Sequence, residues 1–313
     1  MQGRPSLGID IGGGSAKIGI VSPEGVVLAQ DVVLSDPTLS ASDLIDSYLA
    51  TANVLQQTLG IQALVGIGVG LPGHIDFEAG MTRLGNVPSL NGFPIVDALR
   101  NKSGIEVFLE NDATLAALAE FRFGVGKGSN RFLTVALGTG IGVGFIENGK
   151  PVHTSNGTLG DIGHVIVDPK GTRACRQGCH GCLESVASAL ALRDSYDALR
   201  DARMIKVSNG DGLEDLFQSA RDGDANCADI IELAAQNIAA AVVTWMHIFA
   251  PDRIAFAGGV SAAGEDLLRP IRETASRLAM PHYLTNITFM QASLGSKAGL
   301  VGAASLCFTY PLQ

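Results

Sequence analysis

Residues 134–151, TVALGTGIGVGFIENGKP, constrain the fold of this chain more than any other stretch. They read as a buried strand, a glycine bend at residues 138–140, and a second strand in which glycine alternates with apolar residues. Asn148 and Gly149 follow, a pair typical of a type I′ hairpin turn because both central positions need positive φ. A dinucleotide-binding fold places its glycines between a strand and a helix. Here they lie between two strands, which predicts a bend in a β-hairpin, either without a ligand or with backbone amides that approach an anion.

The same pattern occurs nearer the start of the chain. Residues 6–29, SLGIDIGGGSAKIGIVSPEGVVLA, also read as strand, glycines, strand, turn and strand. Residues 65–76 and 253–264 form a second related pair, because each is a hydrophobic strand that ends in glycines. An internal duplication of this kind predicts two similar α/β domains that face each other across an interdomain cleft. Two glycine loops on opposite walls suit a phosphate chain held between the domains.

Composition restricts the class of protein. The chain has 313 residues, of which 46% are hydrophobic, enough for two domains with cores of their own. A net charge of −9 argues against non-specific binding to nucleic acid or anionic membranes, but not against a local anion site. The pattern contains no uninterrupted apolar run of about 18 residues and no export signal, so we expect no membrane span and a cytoplasmic location. Five cysteines, three of them between positions 175 and 182, indicate a metal site or free thiols.

Periodic segments predict the elements between these motifs. An amphipathic helix over residues 40–59, with a capping box at Ser40 and Asp43, ends at Gly60. A strand at 65–70 precedes a long loop over 74–93, and loops of that length are usually functional. The other predicted elements are strands at 106–109, 131–137, 165–167 and 253–256, and helices at 95–102, 113–124, 183–199, 213–220, 225–249, 265–278 and 298–307.

Asn111 and Asp112 stand where a predicted strand ends and a predicted helix begins. Their local pattern is typical of a helix N-cap. The functional alternative is a carboxylate that faces the interdomain cleft. The two roles are compatible if Asn111 caps the helix while Asp112 points out of it.

Taken in order, the motifs resemble those of the ROK family of bacterial sugar kinases and repressors. The resemblance rests on DIGGGSAK, GLPGHID, ENDA, GTGIGVG, GDIGH, a cysteine cluster ending in GCLE, and AGGVS, which together span nearly the whole chain. It implies the actin/hexokinase superfold, an α/β architecture of two duplicated ribonuclease H-like domains. Repressors of that family carry a helix-turn-helix domain ahead of the first glycine motif. Here that motif begins about ten residues in, which favours the kinase.

The resemblance implies a role for each motif. Asp112 would be the catalytic base, because a sugar hydroxyl needs a carboxylate to accept its proton as the bond to phosphorus forms. Asp10 would place Mg²⁺ through water, and the glycines at 258 and 259 would lie against the adenosine. The implied sugar-binding residues are Gly73, Asn86, Asn111, Asp112, Asp161, His164 and Glu184. The implied ATP-binding residues are Asp10, Gly12, Gly13, Gly14, Ser15, Lys17, Gly138, Thr139, Gly140, Gly258 and Gly259.

Two positions depart from the family pattern. Asp161 stands where the family has Glu in GExGH, so the shorter carboxylate either meets a different sugar substituent, such as an amino group, or leaves the substrate unchanged. Gln177 stands at the middle cysteine position of the usual C-x-C-G-x-x-G-C, so the loop either keeps a structural zinc site or has lost it. The predicted zinc ligands are His164, Cys175, Cys179 and Cys182. The histidines without a surrounding motif are interpreted as structural or exposed: His74, His153, His247 and His282.

The resulting prediction is a kinase, dependent on ATP and Mg²⁺, that phosphorylates the 6-hydroxyl of glucose or a close relative. A kinase of an amino- or otherwise modified hexose, of fructose or of mannose, and a non-catalytic sugar-sensing regulator remain alternatives, and polyphosphate is a second candidate donor. By resemblance we expect a homodimer or higher homo-oligomer, with no nucleic-acid or membrane partner. The predicted domains are a small one, residues 1–128 plus the C-terminal helix 298–313, and a large one, residues 129–297.

Overall fold

The computed structural model describes residues 3–310, apart from residues 37, 84, 86, 156, 203 and 205–211. Contacts between Cα atoms divide the chain into two compact units. The first unit comprises Met1–Phe132, Gly144–Gly160 and Ser293–Gln313, and the second comprises Leu133–Val143 and Asp161–Ala292. Residues 144–160 thus group with the first unit, whereas the predicted boundaries at 128/129 and 297/298 keep them in the large domain. Those domain boundaries stay a prediction.

The strands of the described residues form two five-stranded sheets and two short ribbons. The first sheet contains β1 (Ser6–Ile11), β2 (Ser15–Val21), β3 (Val27–Leu34), β4 (Ile67–Leu71) and β7 (Val107–Asn111). The second sheet contains β8 (Arg131–Leu137), β9 (Ile141–Glu147), β10 (Lys150–Pro151), β13 (Arg253–Ala257) and β14 (Thr288–Gln291). The ribbons are β5 (His74–Asp76) with β6 (Met81–Arg83), and β11 (His153–Thr154) with β12 (Gly157–Thr158).

Both sheets have the same strand order along the chain. The first runs β3-β2-β1-β4-β7 and the second runs β10-β9-β8-β13-β14. β1 pairs with β2 in antiparallel and with β4 in parallel orientation. β4 pairs with β7 in parallel, just as β13 pairs with β14. The duplication predicted from the glycine hairpins is therefore confirmed by the strand order, in which β4 and β13 occupy equivalent positions.

The hairpin turn between β9 and β10 has the predicted backbone geometry. Asn148 has φ 51° and Gly149 has φ 82°, so both central residues lie in the left-handed region. β9 and β10 pair in antiparallel orientation on either side of the turn. The Asn-Gly pair was therefore a sufficient local signal for this turn.

The helices of the described residues are α1 (Ala41–Leu59), α2 (Ile95–Ser103), α3 (Asp112–Phe123), α4 (Leu183–Ala187), α5 (Ala189–Asp201), α6 (Leu213–Arg221), α7 (Ala225–Phe249), α8 (Glu265–Leu278), α9 (Pro281–Leu284) and α10 (Ala298–Thr309). α1 begins and ends as predicted. The Ser40 hydroxyl accepts a hydrogen bond from the Asp43 amide at 3.2 Å, and Gly60 closes the helix with φ 66°.

Three predicted elements are wrong in detail. The segment 74–93 is not one loop, because it contains β5, β6 and a 3-10 helix at Pro88–Leu90. Residues 165–167 form no strand; only Ile166 makes an isolated bridge, with Cys182. The helix predicted over 183–199 is two helices, since Ser188 is extended (ψ 165°) and caps α5 through its side chain. β14 and α9 had no prediction.

α7 is long and apolar enough to cross a membrane by length and composition alone, which the sequence analysis had not anticipated. Half of its most apolar 18-residue window is buried inside the protein. Trp245 and Met246, near its C-terminal end, are fully buried. Core helices of water-soluble proteins have the same properties, so this helix is weak evidence for a membrane span.

α10 packs against β1, β4 and α3 of the first unit. Glycines make this close approach possible. A Cβ on Gly68 of β4 would collide with the Ala303 carbonyl, and a Cβ on Gly302 would collide with the Leu115 carbonyl. Gly299, at the start of α10, lies directly against the Asp10 carboxylate. The start of α10 therefore covers one side of Asp10, near the C-terminal end of β1.

A buried carboxylate joins α3 to the segment that leads into α10. Glu120 is 0% exposed. Its Oε1 accepts from the amides of Ser293 (2.7 Å) and Leu294 (2.6 Å), and its Oε2 accepts from the Val125 amide and the Ser293 hydroxyl, both at 3.1 Å. Burying a carboxylate is costly unless hydrogen bonds replace its hydration. Here four donors do so.

Glu120→Gln is therefore expected to destabilise the protein. The amide NH₂ of Gln cannot accept from the backbone donors that now face a carboxylate oxygen, and each buried unpaired group costs about 1–3 kcal/mol. A fall in melting temperature of roughly 2–12 °C is expected, at about 2–4 °C per kcal/mol. Exposed Glu232→Gln on α7 is the matched control. An equal melting temperature for the two variants would contradict the assigned role of Glu120.

Candidate functional site

Asn111 and Asp112 lie at the junction of β7 and α3, as the sequence predicts. The Asn111 Oδ1 accepts from the amides of Ala113 (3.0 Å) and Thr114 (3.3 Å), so Asn111 is the N-cap. Its Nδ2 donates to the Gly73 carbonyl at 3.1 Å. Asp112 is thus released from the capping role. Its Oδ1 accepts from the neighbouring Ala113 amide at 2.8 Å.

The electrostatic environment of Asp112 favours its neutral form more than water does. Burial raises the pKa of Asp112, and the hydrogen bond from the Ala113 amide opposes that rise. A carboxylate whose pKa is raised toward neutrality is a stronger base while it still ionises at working pH. The residue therefore has the chemistry of a general base.

Asp10 on β1 belongs to the same electrostatic group. Burial raises the pKa of Asp10 to about 6; the charge of Lys17 lowers it, and the charge of Asp112 raises it. The Lys17 Nζ donates to the Ser296 carbonyl at 2.6 Å, which holds the ammonium at the start of α10. Because the charge of Asp112 raises the pKa of Asp10, a cation nearby would stabilise the ionised form of Asp10.

The first glycine loop turns tightly between β1 and β2. The Gly12 amide donates to the Ser15 carbonyl at 2.9 Å, and the Ser35 amide donates to the Gly14 carbonyl at 3.1 Å. Gly12 and Gly14 are not among the glycines with positive φ, and a Cβ on Gly14 would meet no atom within 4 Å. The backbone conformation therefore does not require glycine at these two positions. The absence of side chains keeps the loop open on its outer side, as close approach of a ligand requires.

In the second unit, the glycine loop at residues 138–140 meets Glu184 of α4. The Gly138 amide donates to the Gly140 carbonyl at 2.9 Å. A Cβ on Gly140 would lie 2.5 Å from the Glu184 Oε2, and the same oxygen accepts from the Ile141 amide at 3.1 Å. The structure thus brings a predicted phosphate loop and a predicted sugar ligand together. Glu184 fixes the strand that leaves the loop.

The loop after β13 packs on the strand that enters this glycine bend. Gly258 has φ 85°, and a Cβ on it would collide with the Leu137 carbonyl, so glycine is required there on both counts. Gly259 and Val260 line a cavity of about 510 Å³ whose other wall is α6. The α6 residues in that wall include Phe217 and Arg221. A cavity lined by the aromatic ring of Phe217 and by polar groups suits a flat heteroaromatic ligand.

His164 and three cysteines form a compact cluster in the second unit. His164 Nδ1 lies 3.4 Å from the Cys179 Sγ, 3.6 Å from the Cys182 Sγ and 3.7 Å from the Cys175 Sγ. All four ligand atoms lie within 4.8 Å of one another. Ligand atoms on a zinc tetrahedron, with bonds of about 2.0–2.3 Å, lie roughly 3.5–3.8 Å apart. The donor set and its spacing therefore fit Zn²⁺, and the Nε2 of His164 stays clear of the cluster.

Asp161 precedes this cluster in a 3-10 helix, Gly160–His164. Asp161 is exposed in the structure. Gly163 of the same turn lies directly against the Ile141 carbonyl, which ties the turn to β9. Asn86 lies outside the described residues, so its predicted role is not addressed by the structure.

One pair of residues near this site was not predicted from the sequence. His153 was interpreted as structural or exposed, and it is an exposed residue in the structure. Its Nε2 lies 2.6 Å from the Oε2 of Glu110, the residue before Asn111. Neither residue has a local pattern that would have indicated the pairing, since they are 43 positions apart.

Two sheets of identical strand order, each with a glycine hairpin, define the fold as actin/hexokinase-like, an α/β fold of ribonuclease H-like halves. The chain belongs to the ROK family, whose family model matches residues 6–309. The glucokinase of Thermotoga maritima is 34% identical over 308 residues, which cover 96% of each chain. A ROK family glucokinase from Streptomyces griseus, solved in complex with glucose and AMPPNP, is 30% identical with a TM-score of 0.79, over 96% of this chain and 98% of that one.

The family also includes regulators. The DNA-binding transcriptional repressor Mlc of Escherichia coli is 27% identical over 293 residues, which cover 93% of this chain and 70% of that protein. Family membership alone therefore does not distinguish catalysis from regulation.

Proposed function

We propose that this protein is a sugar kinase that transfers the γ-phosphoryl group of ATP to the 6-hydroxyl of a hexose, with glucose as the first candidate. Relatives named glucokinase, at 30–34% identity over nearly the whole chain, support this proposal. The neighbouring structure that contains glucose and AMPPNP supports a sugar and a nucleotide as the two ligands.

The observation that carries the proposal is Asp112. It follows the cap residue at the start of α3, it has a raised pKa, and it is not used to cap the helix. A hydroxyl is a poor nucleophile until a base accepts its proton, and one well-placed carboxylate is sufficient. In this mechanism Asp112 accepts the 6-hydroxyl proton as that oxygen attacks the γ-phosphorus, and the bond to the β,γ-bridging oxygen of ATP breaks.

The remaining residues bind and orient the ligands. Within the first unit, Asn111 keeps one amide N–H for a sugar hydroxyl after donating the other to Gly73. Asp10 would hold Mg²⁺ through water, and the open loop around Gly14 would contact phosphate. Bound Mg²⁺ neutralises charge that develops on the phosphates. Lys17 is held near Asp10 by the Ser296 carbonyl.

Within the second unit, the amides of residues 138–140 would bind phosphate oxygens and the cavity beside Gly259 would hold the adenine. Glu184, Asp161 and the Nε2 of His164 would bind sugar hydroxyls, each of which needs a partner when water is excluded. Zn²⁺ on Nδ1 of His164 and the three cysteines would fix the orientation of that ring. Its role would be structural.

A hexose panel in a coupled ADP-release assay tests the proposed function. We expect Mg²⁺-dependent turnover with glucose or one of its close relatives, and repetition with polyphosphate identifies the donor. The match to a transcriptional repressor favours a sugar sensor as the second candidate. Measurable sugar binding with no turnover on any hexose would support the sensor and contradict the kinase.

Asp161→Glu is expected to change which sugar is preferred. Asp161 carries a shorter carboxylate than the family pattern, and an amino group facing it would gain a charge-assisted hydrogen bond. Lengthening the side chain is expected to shift the ratio of kcat/KM for glucosamine over glucose by roughly 10- to 100-fold toward glucose. The measurement is kcat/KM for glucose, mannose, fructose, glucosamine, N-acetylglucosamine and 3-amino-3-deoxyglucose.

Asp229→Glu, an exposed change of the same kind on α7, is the control for that series. An unchanged ranking of the sugars in Asp161→Glu would mean that residue 161 does not set specificity.

A further inference from the structure

Glu110 is the most deeply buried carboxylate next to the proposed base. It is 1% exposed and lies on β7 directly before Asn111 and Asp112. Its Oε1 accepts from the Asn111 amide at 2.8 Å, and its Oε2 lies 2.6 Å from the His153 Nε2. In the tautomer of His153 that carries a proton on Nε2, this nitrogen donates to the Glu110 oxygen. Both oxygens of Glu110 thus have protein partners.

His153 is itself held by its surroundings. Its side chain is 29% exposed, and its ring lies 4.4 Å from the ring of Phe77, centroid to centroid. It belongs to β11, which pairs with β12 in a short ribbon. Gly157 of that ribbon lies so close to β5 that a Cβ there would be 3.0 Å from the imidazole of His74. The imidazole of His153 therefore projects from a supported ribbon toward the end of β7.

These contacts connect the parts of the first unit that carry predicted sugar ligands. Gly73 precedes β5, and its carbonyl accepts from the Asn111 side chain. The β11–β12 ribbon packs on β5, and His153 returns to Glu110. Glu110 then fixes the amide of Asn111, and with it the peptide from which the Asn111 and Asp112 side chains project. The pair closes this ring of contacts.

We propose that the His153–Glu110 pair is a positioning device for the proposed catalytic end of β7. It sets the orientation of Asn111 and Asp112 and couples that orientation to the β11–β12 ribbon. Neither residue contacts the sugar or the phosphates. The inference rests on the proposed function, because the orientation of Asp112 affects the reaction rate only if Asp112 is the base.

The test compares two substitutions of His153. His153→Leu removes the donor and keeps an apolar side chain beside Phe77, whereas His153→Gln keeps an N–H donor at similar reach. Misplacing a reacting group by a fraction of an ångström to 1 Å can cost up to about 10²-fold in rate, so kcat is expected to fall roughly 10- to 100-fold in His153→Leu. The Gln variant is expected to stay within about threefold of the wild type, and KM for ATP is expected to change less than about twofold in both.

Two further measurements separate positioning from a purely structural role. Melting temperatures identify any loss of folded protein, so that kcat is expressed per folded enzyme. In the Glu110→Gln background, His153→Leu is expected to lower kcat by less than about threefold further, because two members of one interacting pair are not additive. His282→Leu, at an exposed histidine of α9, is the matched control for the change of residue type.

The possible outcomes are distinct. A low kcat in His153→Leu, recovery in His153→Gln and non-additivity with Glu110→Gln support the proposal. Unchanged kcat per folded enzyme in His153→Leu, or no recovery in His153→Gln, overturns the positioning role. The proposed function still stands in that case if the wild type is active and Asp112→Asn is inactive. Absence of turnover by the wild type on every hexose overturns both.

Discussion

Asp112→Asn is expected to lower kcat by about 10² to 10⁴, the usual contribution of a general base. The substitution removes a charge and a proton acceptor but leaves the N-cap of α3 in place, because Asn111 is that residue. Burial raises the pKa of Asp112, so the ionised side chain costs the folded protein free energy at neutral pH. A neutral amide of the same size is therefore expected to leave the melting temperature unchanged or slightly higher. The sugar KM is expected to change little.

The measurement is kcat and KM in the coupled assay, together with a thermal melt. Asp97→Asn, on the exposed side of α2, is the matched control and is expected to retain full activity. A large fall in kcat with no loss of stability identifies a residue that acts on the reaction. Near wild-type turnover in Asp112→Asn would mean that residues 111 and 112 serve only the start of the helix, and the proposed base would be wrong.

The parts of the fold that the sequence predicted depend on short-range signals. Asn148 and Gly149 specify their own turn, and Ser40 and Gly60 specify the ends of α1, because the backbone geometry and the capping atoms lie within a few residues. The duplication followed from the repeated strand–glycine–strand pattern, and it predicted that β4 and β13 would be equivalent. Long, periodic helices such as α7 were predicted to the residue.

Predictions failed where distant contacts decide the structure. The predicted helix over 183–199 is interrupted at Ser188, where the Ala189 amide donates to the distant Gly138 carbonyl at 2.9 Å. Ile166 forms a bridge with Cys182 in place of a strand, because the chain turns there into the cysteine loop. Periodicity indicates which face of an element is apolar, but it does not show where a contact with a distant segment ends or interrupts that element.

The same distinction applies to the candidate site. Asn111 and Asp112 were predictable because a cap and a carboxylate at a strand end are local features. The Glu110–His153 pair was not predictable, since the geometry of the β11–β12 ribbon decides which buried group His153 meets. The glycine loops add a different lesson. Gly14 has room for a side chain and no positive φ, so the fold itself does not require glycine at that position.

Zinc removal is the other prediction with a large expected effect. Purified protein is expected to contain about one Zn²⁺ per chain, because thiolates and imidazole in this arrangement are ligands that zinc prefers. A structural zinc contributes its binding free energy to folding, so chelation is expected to lower the melting temperature by about 2–4 °C for each kcal/mol of stability lost. Elemental analysis and thermal melts with and without chelator are the measurements.

Substitutions in the cysteine loop test which thiolate replaces the one that the family pattern has at position 177. Cys179→Ser is expected to lose most of the zinc, since the Cys179 Sγ is the sulfur nearest to the His164 Nδ1, at 3.4 Å. Gln177→Ser, an exposed change in the same loop, is expected to keep it. The double variant Gln177→Cys with Cys179→Ser restores the family spacing and is expected to recover zinc. If the wild-type protein contains no zinc and its melting temperature is unchanged by chelator, Gln177 marks a lost zinc site. Zinc retained by Cys179→Ser would mean instead that the metal is held without the shifted cysteine.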